Sequence, residues 1–252
     1  MEKKIGEIKL EFEKAHENEL SALLEKYEND TRAGVQKTIE KYRKQQEKLT
    51  LEKERLYAMR EYERKYADYS YICGIDEVGR GPLAGPVVAS AVILPHDCMI
   101  PYINDSKKLS AKKREELFEQ IMEQAIAVGI GFVSHERIDK INILQATYEA
   151  MSQAIKALEV APQVLLNDAV TIPDLTVLQV PIVKGDAKSI SIAAASIIAK
   201  VTRDRLMEEY DELFPAYGFS SNKGYGSNTH IEALKKYGPT PIHRRTFIKN
   251  FI

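Results

Sequence analysis

Ile72-Cys73-Gly74-Ile75-Asp76-Glu77-Val78-Gly79-Arg80-Gly81-Pro82-Leu83-Ala84-Gly85-Pro86-Val87-Val88 is the stretch that decides the fold. It reads as a β-prone apolar run over 71–75, two adjacent carboxylates, and a Gly/Pro loop leading into a second apolar run over 86–94. Neighbouring side chains of a regular strand point to opposite faces. Asp76 and Glu77 can therefore serve one site only where the strand ends and the backbone turns. The glycines supply that turn. Gly79-Arg80-Gly81 lets main-chain N–H and C=O groups approach a ligand closely, and the Arg80 guanidinium offers a fork for phosphate oxygens. A polar β-turn with exposed charges would account for Asp76-Glu77 alone, but not easily for the whole run.

Downstream, residues 128–134 read as a third strand, and three early strands on short links predict an antiparallel start. A helical stretch follows at 143–159, short strands at 164–167 and 177–183, and a long helix at about 187–213. Strands alternating with helices imply parallel pairing, so the expected class is α/β, a mixed sheet flanked by helices.

Two further acids stand at strand ends. Asp168 closes the run Gln163-Val164-Leu165-Leu166-Asn167, and Asp186 follows 180–183 through Lys184-Gly185. Such ends line the ligand crevice of an α/β sheet and would bring distant acids together. Hard Mg²⁺ or Mn²⁺ ions take carboxylate oxygens, and two such ions suit phosphodiester cleavage. Simpler roles compete. Asp186 suits the N-cap of the helix after it. Asp168 could be a turn acid, with Asp174 its rival.

Residues 1–70 hold sixteen Lys/Arg and sixteen Asp/Glu, whereas the other 182 residues hold 41 charges, and this shift places a domain boundary near 70. Apolar residues there recur at helical spacing on either side of Asn29-Asp30-Thr31, which predicts a hairpin-like pair of long amphipathic helices. The whole chain has 36 basic and 37 acidic residues, so net charge neither requires nor excludes a nucleic-acid partner. Two cysteines, Cys73 and Cys98, cannot form a disulfide framework, and no run of about 18 apolar residues appears. With a charged start and no apolar signal core, the chain is expected to be soluble, unexported and cytoplasmic.

The segment 72–88 resembles the opening signature of bacterial ribonuclease HII, and further segments match that family in order. Asn104-Asp105-Ser106-Lys107-Lys108-Leu109 is similar to its "DSKKL" box. Lys184-Gly185-Asp186 with 191–200 resembles its "GD…SIAAASI.AK" box, and Lys223-Gly224-Tyr225-Gly226 with His230 its "GYGT..H" box. The likeness runs from about residue 70 to the end. Ser227 stands where the family often has threonine, which keeps a hydroxyl.

The resemblance implies a ribonuclease H-like fold in 71–252, preceded by an α-helical extension, with Asp76, Glu77, Asp168 and Asp186 holding two Mn²⁺ or Mg²⁺ ions. It implies that Gly79, Arg80 and Gly81 read the ribose 2′-hydroxyl and that Tyr225 stacks on the sugar at the RNA-to-DNA junction. The expected activity is cleavage of RNA/DNA hybrid, and cleavage 5′ of single ribonucleotides in duplex DNA, by a monomer, leaving 3′-hydroxyl and 5′-phosphate ends. A non-catalytic hybrid-binding adaptor is the alternative, disfavoured because all four acids are in place.

Ser106, Lys107 and Lys108 are expected at substrate phosphates, or else in a solvated turn before a helix capped by Ser110. Lys200 and Arg203 would face the groove or water, and Arg244 or Arg245 could reach phosphate. His230 and His243 are expected to be structural, with Phe247 and Phe251 packing. The basic cluster Lys41, Arg43, Lys44 and Lys48 would grip duplex backbone or form a solvated face.

Overall fold

The decisive stretch forms the centre of a five-stranded sheet. In the computed structural model, which describes residues 3–252, the strands are β1 (Ile72–Val78), β2 (Val87–Ile93), β3 (Ala127–Val133), β4 (Val164–Asp168) and β5 (Leu178–Ile182). Their order is β3-β2-β1-β4-β5. β1–β2 and β2–β3 pair antiparallel, while β1–β4 and β4–β5 pair parallel. The mixed α/β class expected from the sequence is the one observed. One detail differs. The link from β2 to β3 is not short, since it carries α5 (Ala111–Gln124), whose N-cap Ser110 accepts from the Lys113 N–H.

The period-two alternation of the strands assigns their two faces. Cys73 and Ile75 of β1, with Val87, Ala89 and Ala91 of β2, pack with Ala146, Ala150 and Ala154 of α6 (His135–Lys156). That helix breaks at Asn142 (φ 68°), whose side chain recaps the continuation by accepting from the N–H groups of Leu144 and Gln145. Ile72 and Gly74 face α7 (Ile190–Leu213) instead. A Cβ on Gly74 would lie 2.0 Å from the Ser191 carbonyl carbon, so a residue without a side chain lets α7 lie directly on β1.

α7 is also where the helix-start expectation fails. Its N-cap is Ser189, which accepts from the Ile192 N–H, and Asp186 sits earlier, in the 3₁₀ turn Gly185–Ala187. The N–H groups of Lys188 and Ser189 close back on Gly185 O, and Ser189 in place of Asp186 does the capping.

The chain divides into two compact units, one ending at Tyr57 and the other spanning Ala58–Ile252. The first holds α1 (Ile5–Lys14), α2 (Glu17–Lys26) and most of α3 (Ala33–Met59), around Ile8, Phe12, Leu20, Leu24, Val35, Ile39 and Tyr42. The expected pair of long helices is instead two short helices and one long one. The periodicity runs through Ala15-His16, but the backbone is extended there, and Glu19 restarts the helix by accepting from the His16 N–H at 2.9 Å. A short helix, α4 (Glu61–Lys65), opens the second unit. Among the described residues no helix is long and apolar enough to cross a membrane.

Candidate active site

Parallel pairing of β1 with β4 puts their C-terminal ends side by side. Ile75 is in register with Asn167, so Asp76 and Asp168 stand next to each other one residue further on. Asp76 is only 7% exposed, on the face that α7 covers. Its Oδ1 accepts from the Glu77 N–H at 2.8 Å. Burial, then the negative charges of Glu77 and Asp168, push the Asp76 carboxyl well above the ordinary aspartate range, against the pull of a hydrogen bond from Ser196. Burial raises Glu77 too, and Asp168 adds to the rise. Arg80 opposes it, its Nη1 donating to Glu77 Oε1 at 3.2 Å.

The Gly185–Ala187 turn brings in the fourth acid. Gly185 N–H donates to Asp168 Oδ1 at 2.8 Å, fixing Asp186 beside β4. Burial raises Asp186, with Asp105 and Asp168 adding to the rise and Lys107 pulling it back. Asp105 lies close to Asp186 and was not among the acids picked out from sequence. Its position inside the Asn104–Leu109 box was the available signal. Burial alone would lower Lys107, yet the combined field of Asp76, Asp105, Asp186 and Asp168 raises it. The rival Asp174 lies elsewhere, lining a hollow with Arg137, Tyr148 and Glu149 of α6.

The structure thus gathers Asp76, Glu77, Asp168 and Asp186, with Asp105, from four chain segments. Among the described residues no three acids, histidines or cysteines close tightly enough to grip a metal ion as they stand. Glu77 is turned to Arg80 and Asp186 to Asp105. The donor chemistry nevertheless fits a hard divalent cation. All are carboxylates, and the ionised form of Asp76 is disfavoured by burial and by its neighbours, a cost that a cation placed among them would relieve.

Two buried arginines build the loop beyond Glu77. Arg244 donates from Nε to Gly85 O (3.0 Å), from Nη1 to Arg80 O (2.9 Å) and from Nη2 to Gly79 O (2.5 Å). Arg203 donates to Pro86 O (3.0 Å), Lys223 O (2.8 Å) and Ala84 O (3.1 Å). Both are 0% exposed, which corrects the expectation that Arg203 faces groove or water and that Arg244 reaches phosphate. Their donors are consumed by main-chain carbonyls that would otherwise be buried unpaired. Gly79 has φ +90°, and a Cβ there would lie 2.3 Å from Arg203 Nε, so this position takes only glycine. The Leu83 N–H bonds to Gly224 O at 2.8 Å, and exposed Tyr225 stands against Gly81, its Cε1 3.6 Å from where a Cβ would be.

The remaining polar residues sort themselves around this frame. Ser106 is buried with its hydroxyl on Ser196 (2.8 Å), so it faces the carboxylates and not solvent, while Lys108 is exposed. Lys200 turns to Asp204 at 2.6 Å. His230 and His243 are buried with their Nε2 atoms 2.9 Å apart, and His230 Nδ1 is 2.8 Å from Tyr225 O. Ser227 caps α8 (Asn228–Tyr237), a task its hydroxyl shares with threonine. Arg245 gives its N–H to Asp139, while Phe247 and Phe251 pack against the cluster that holds Phe219 and Ile248. In the first unit, Lys44 pairs with Glu40, Arg43 with Glu28, and Lys41 lies over the Tyr42 ring.

Comparison with known proteins gives consistent matches. A family model described as Ribonuclease HII matches residues 73–250, and one described as Ribonuclease HII N-terminal domain matches residues 4–67. Ribonuclease HII of Lachnoclostridium phytofermentans is 65% identical over 247 residues, covering 98% of this chain and 97% of that protein. Ribonuclease HII of Clostridioides difficile is 52% identical, covering 100% and 99%. Among solved structures, ribonuclease H2 from Pyrococcus horikoshii OT3 superposes with a TM-score of 0.59 at 30% identity, covering 70% of this chain and 93% of that one.

Proposed function

The chain belongs to the ribonuclease HII family, and from that premise we propose that this endoribonuclease cuts the phosphodiester 5′ of a ribonucleotide, in RNA/DNA hybrid or embedded singly in duplex DNA. The products are 3′-hydroxyl and 5′-phosphate ends. The observation that carries the reading is the convergence of Asp76, Glu77, Asp168 and Asp186 at the adjoining ends of β1 and β4, beside a glycine loop with a positive φ.

On this reading the four carboxylates hold two divalent ions, Mn²⁺ or Mg²⁺. When bound, such ions supply an activated water and stabilise the leaving oxygen. The rest falls to the chain's own residues. Asp168 positions the Asp186 turn through the Gly185 N–H. Lys107 projects a positive charge over the acids and serves as the contact for the strand's phosphate. Gly79 and Gly81 bring bare main chain close to the sugar, with Arg244 holding the Gly79 and Arg80 carbonyls from behind and Arg203 those of Ala84 and Pro86 further along the loop. Tyr225, exposed next to Gly81, offers its ring to the sugar at the junction, so that a 2′-hydroxyl is read by close contact instead of by base sequence. Ser106 acts on substrate only through Ser196 and Asp76.

The proposal is of a monomer, since the four carboxylates of a single chain suffice for the site. The catalytic domain is taken as 71–252, after a charged helical extension over 1–70. Two free, buried cysteines suit a reducing cytosol. The test is incubation with Mn²⁺ or Mg²⁺ and a duplex carrying one ribonucleotide. Cleavage on its 5′ side, absent from an all-DNA duplex, is expected. A folded protein that leaves the strand intact with either metal would overturn the reading.

A further inference from the structure

A buried acid outside the carboxylate cluster holds the other end of the turn that carries Asp186. Glu63 of α4 is 7% exposed, and its Oε1 accepts three hydrogen bonds at the start of α7: from Ser189 Oγ (2.5 Å), Ser191 Oγ (2.7 Å) and the Ser191 N–H (3.0 Å). Ser189 is at the same time the helix cap, accepting from the Ile192 N–H at 3.2 Å. Glu63 is therefore a second cap delivered from a distant segment, a negative charge at the positive end of a 24-residue helix.

The contacts continue into the site. Ser189 N–H donates to Gly185 O at 2.8 Å, and Gly185 N–H donates to Asp168 Oδ1 at 2.8 Å. The Gly185-to-Ser189 turn, with Asp186 inside it, is pinned by Asp168 at one end and by Glu63 at the other. The same helix start lies on β1 where Gly74 meets Ser191, and further along it Ser196, close to Asp76, shares a 2.8 Å hydrogen bond with Ser106. The axial position of α7 thus sets Asp186 and the support of Asp76 together.

We propose that Glu63 is a positioning residue of the carboxylate site, through which α4 sets the separation of Asp186 from Asp76 and Asp168. This rests on the reading of those acids as metal ligands. Loss of Glu63 then acts on divalent-ion affinity and on turnover, and not on nucleic-acid binding, in the manner of outer-shell groups that orient ligands.

The test compares full-length wild type with Glu63→Ala and Glu63→Gln. The readouts are Mn²⁺ titration calorimetry without substrate, kcat and KM on a singly ribonucleotide-substituted duplex, and thermal unfolding. In Glu63→Ala, Mn²⁺ affinity and kcat are each expected to fall roughly 10-fold or more, with KM within about twofold. Glu63→Gln keeps an oxygen acceptor for the serines and is expected to recover most of both. The recovery is incomplete, because the amide puts N–H donors at Oε2, which has no hydrogen-bond partner among the described residues. Ser191→Ala, which removes one of the three donors and keeps the helix, is expected to shift Mn²⁺ affinity the same way by a smaller factor, and it serves if Glu63→Ala fails to fold.

A folded Glu63→Ala with a lower unfolding temperature but wild-type Mn²⁺ affinity and kcat would overturn the proposal and leave the metal-site reading standing. Unchanged Mn²⁺ affinity in Ser191→Ala would overturn it likewise if Glu63→Ala does not fold. A wild type that neither binds Mn²⁺ nor cuts would remove the metal-site reading, and this inference with it.

Discussion

Arg244 Nη2 donates to the carbonyl oxygen of Gly79 at 2.5 Å, so a fully buried cation fixes the residue that begins the Gly79-Arg80-Gly81 loop. Its other donors reach Arg80 O and Gly85 O, a spread that no single ammonium can cover. Arg244→Lys leaves buried carbonyls without donors, each costing about 1–3 kcal/mol. The expected outcome is destabilisation of about 2–4 kcal/mol by urea unfolding. Preference for a ribonucleotide duplex over an all-DNA duplex is also expected to narrow. A variant as stable and as selective as wild type would show that the loop is held some other way.

Asp76 makes a prediction in which stability and activity move in opposite directions. Burial and the charges of Glu77 and Asp168 raise its carboxyl, so its ionisation costs the folded state. That cost is absent below the ordinary aspartate pKa of about 4 and sets in as the pH climbs through and above it. Asp76→Asn removes the charge. Without metal at pH 7, the variant is expected to melt a few degrees above wild type, while its kcat falls by more than about 100-fold, beyond the loss typical of outer-shell groups. Added Mn²⁺ should raise the wild-type melting temperature more than that of the variant. Calorimetric scans with and without Mn²⁺ decide the matter, and a metal-free variant that melts below wild type would contradict the account.

Much of this was legible because the information is local. Asp76 and Glu77 are adjacent and followed by the glycines that turn the chain, and a strand pattern stops at Asp168. Asp105 stood inside the Asn104–Leu109 box, but nothing local to that loop before α5 shows that it reaches Asp186, 81 residues further along the chain. Arg203 and Arg244 misled for a related reason. An arginine in sequence reads as a surface cation, and only packing reveals six main-chain carbonyls awaiting donors. Glu63 was hidden in a segment whose charges are mostly solvated, and its partners lie more than a hundred residues away. Asp186 was open to two roles until the 3₁₀ turn assigned capping to Ser189.

Tyr225 is half-exposed, and Gly81 lies beneath its ring edge. Little in the folded protein depends on it, so Tyr225→Ala is expected to leave stability within about 0.5 kcal/mol. Stacking is worth about 1–3 kcal/mol, so kcat/KM on a singly substituted duplex is expected to fall by roughly 5- to 100-fold. Tyr225→Phe keeps the ring and should stay close to wild type. Steady-state cleavage of that duplex by both variants is the measurement. Equal losses in the two would assign the effect to the hydroxyl and remove the stacking role.

His230 and His243 predict how the fold responds to acid. Their Nε2 atoms are 2.9 Å apart, which requires one proton between them, and the outer nitrogens are engaged by Tyr225 O and by Thr240. Burial lowers His243 to about 4, with the neighbouring His230 adding to the effect, and burial lowers His230 as well. An unfolded histidine binds its proton near pH 6.5, so the unfolded state holds more protons than the folded one between about 6.5 and 4. Stability is therefore unaffected by this pair above pH 6.5 and falls as the pH drops through that window. The loss attributable to His243 is about 3 kcal/mol in total. His243→Asn should lower stability at pH 7 by breaking the contacts to His230 and Thr240, yet flatten the decline between pH 6.5 and 4. Urea unfolding across that range checks both, and a variant whose stability falls as steeply as that of wild type would locate the acid sensitivity elsewhere.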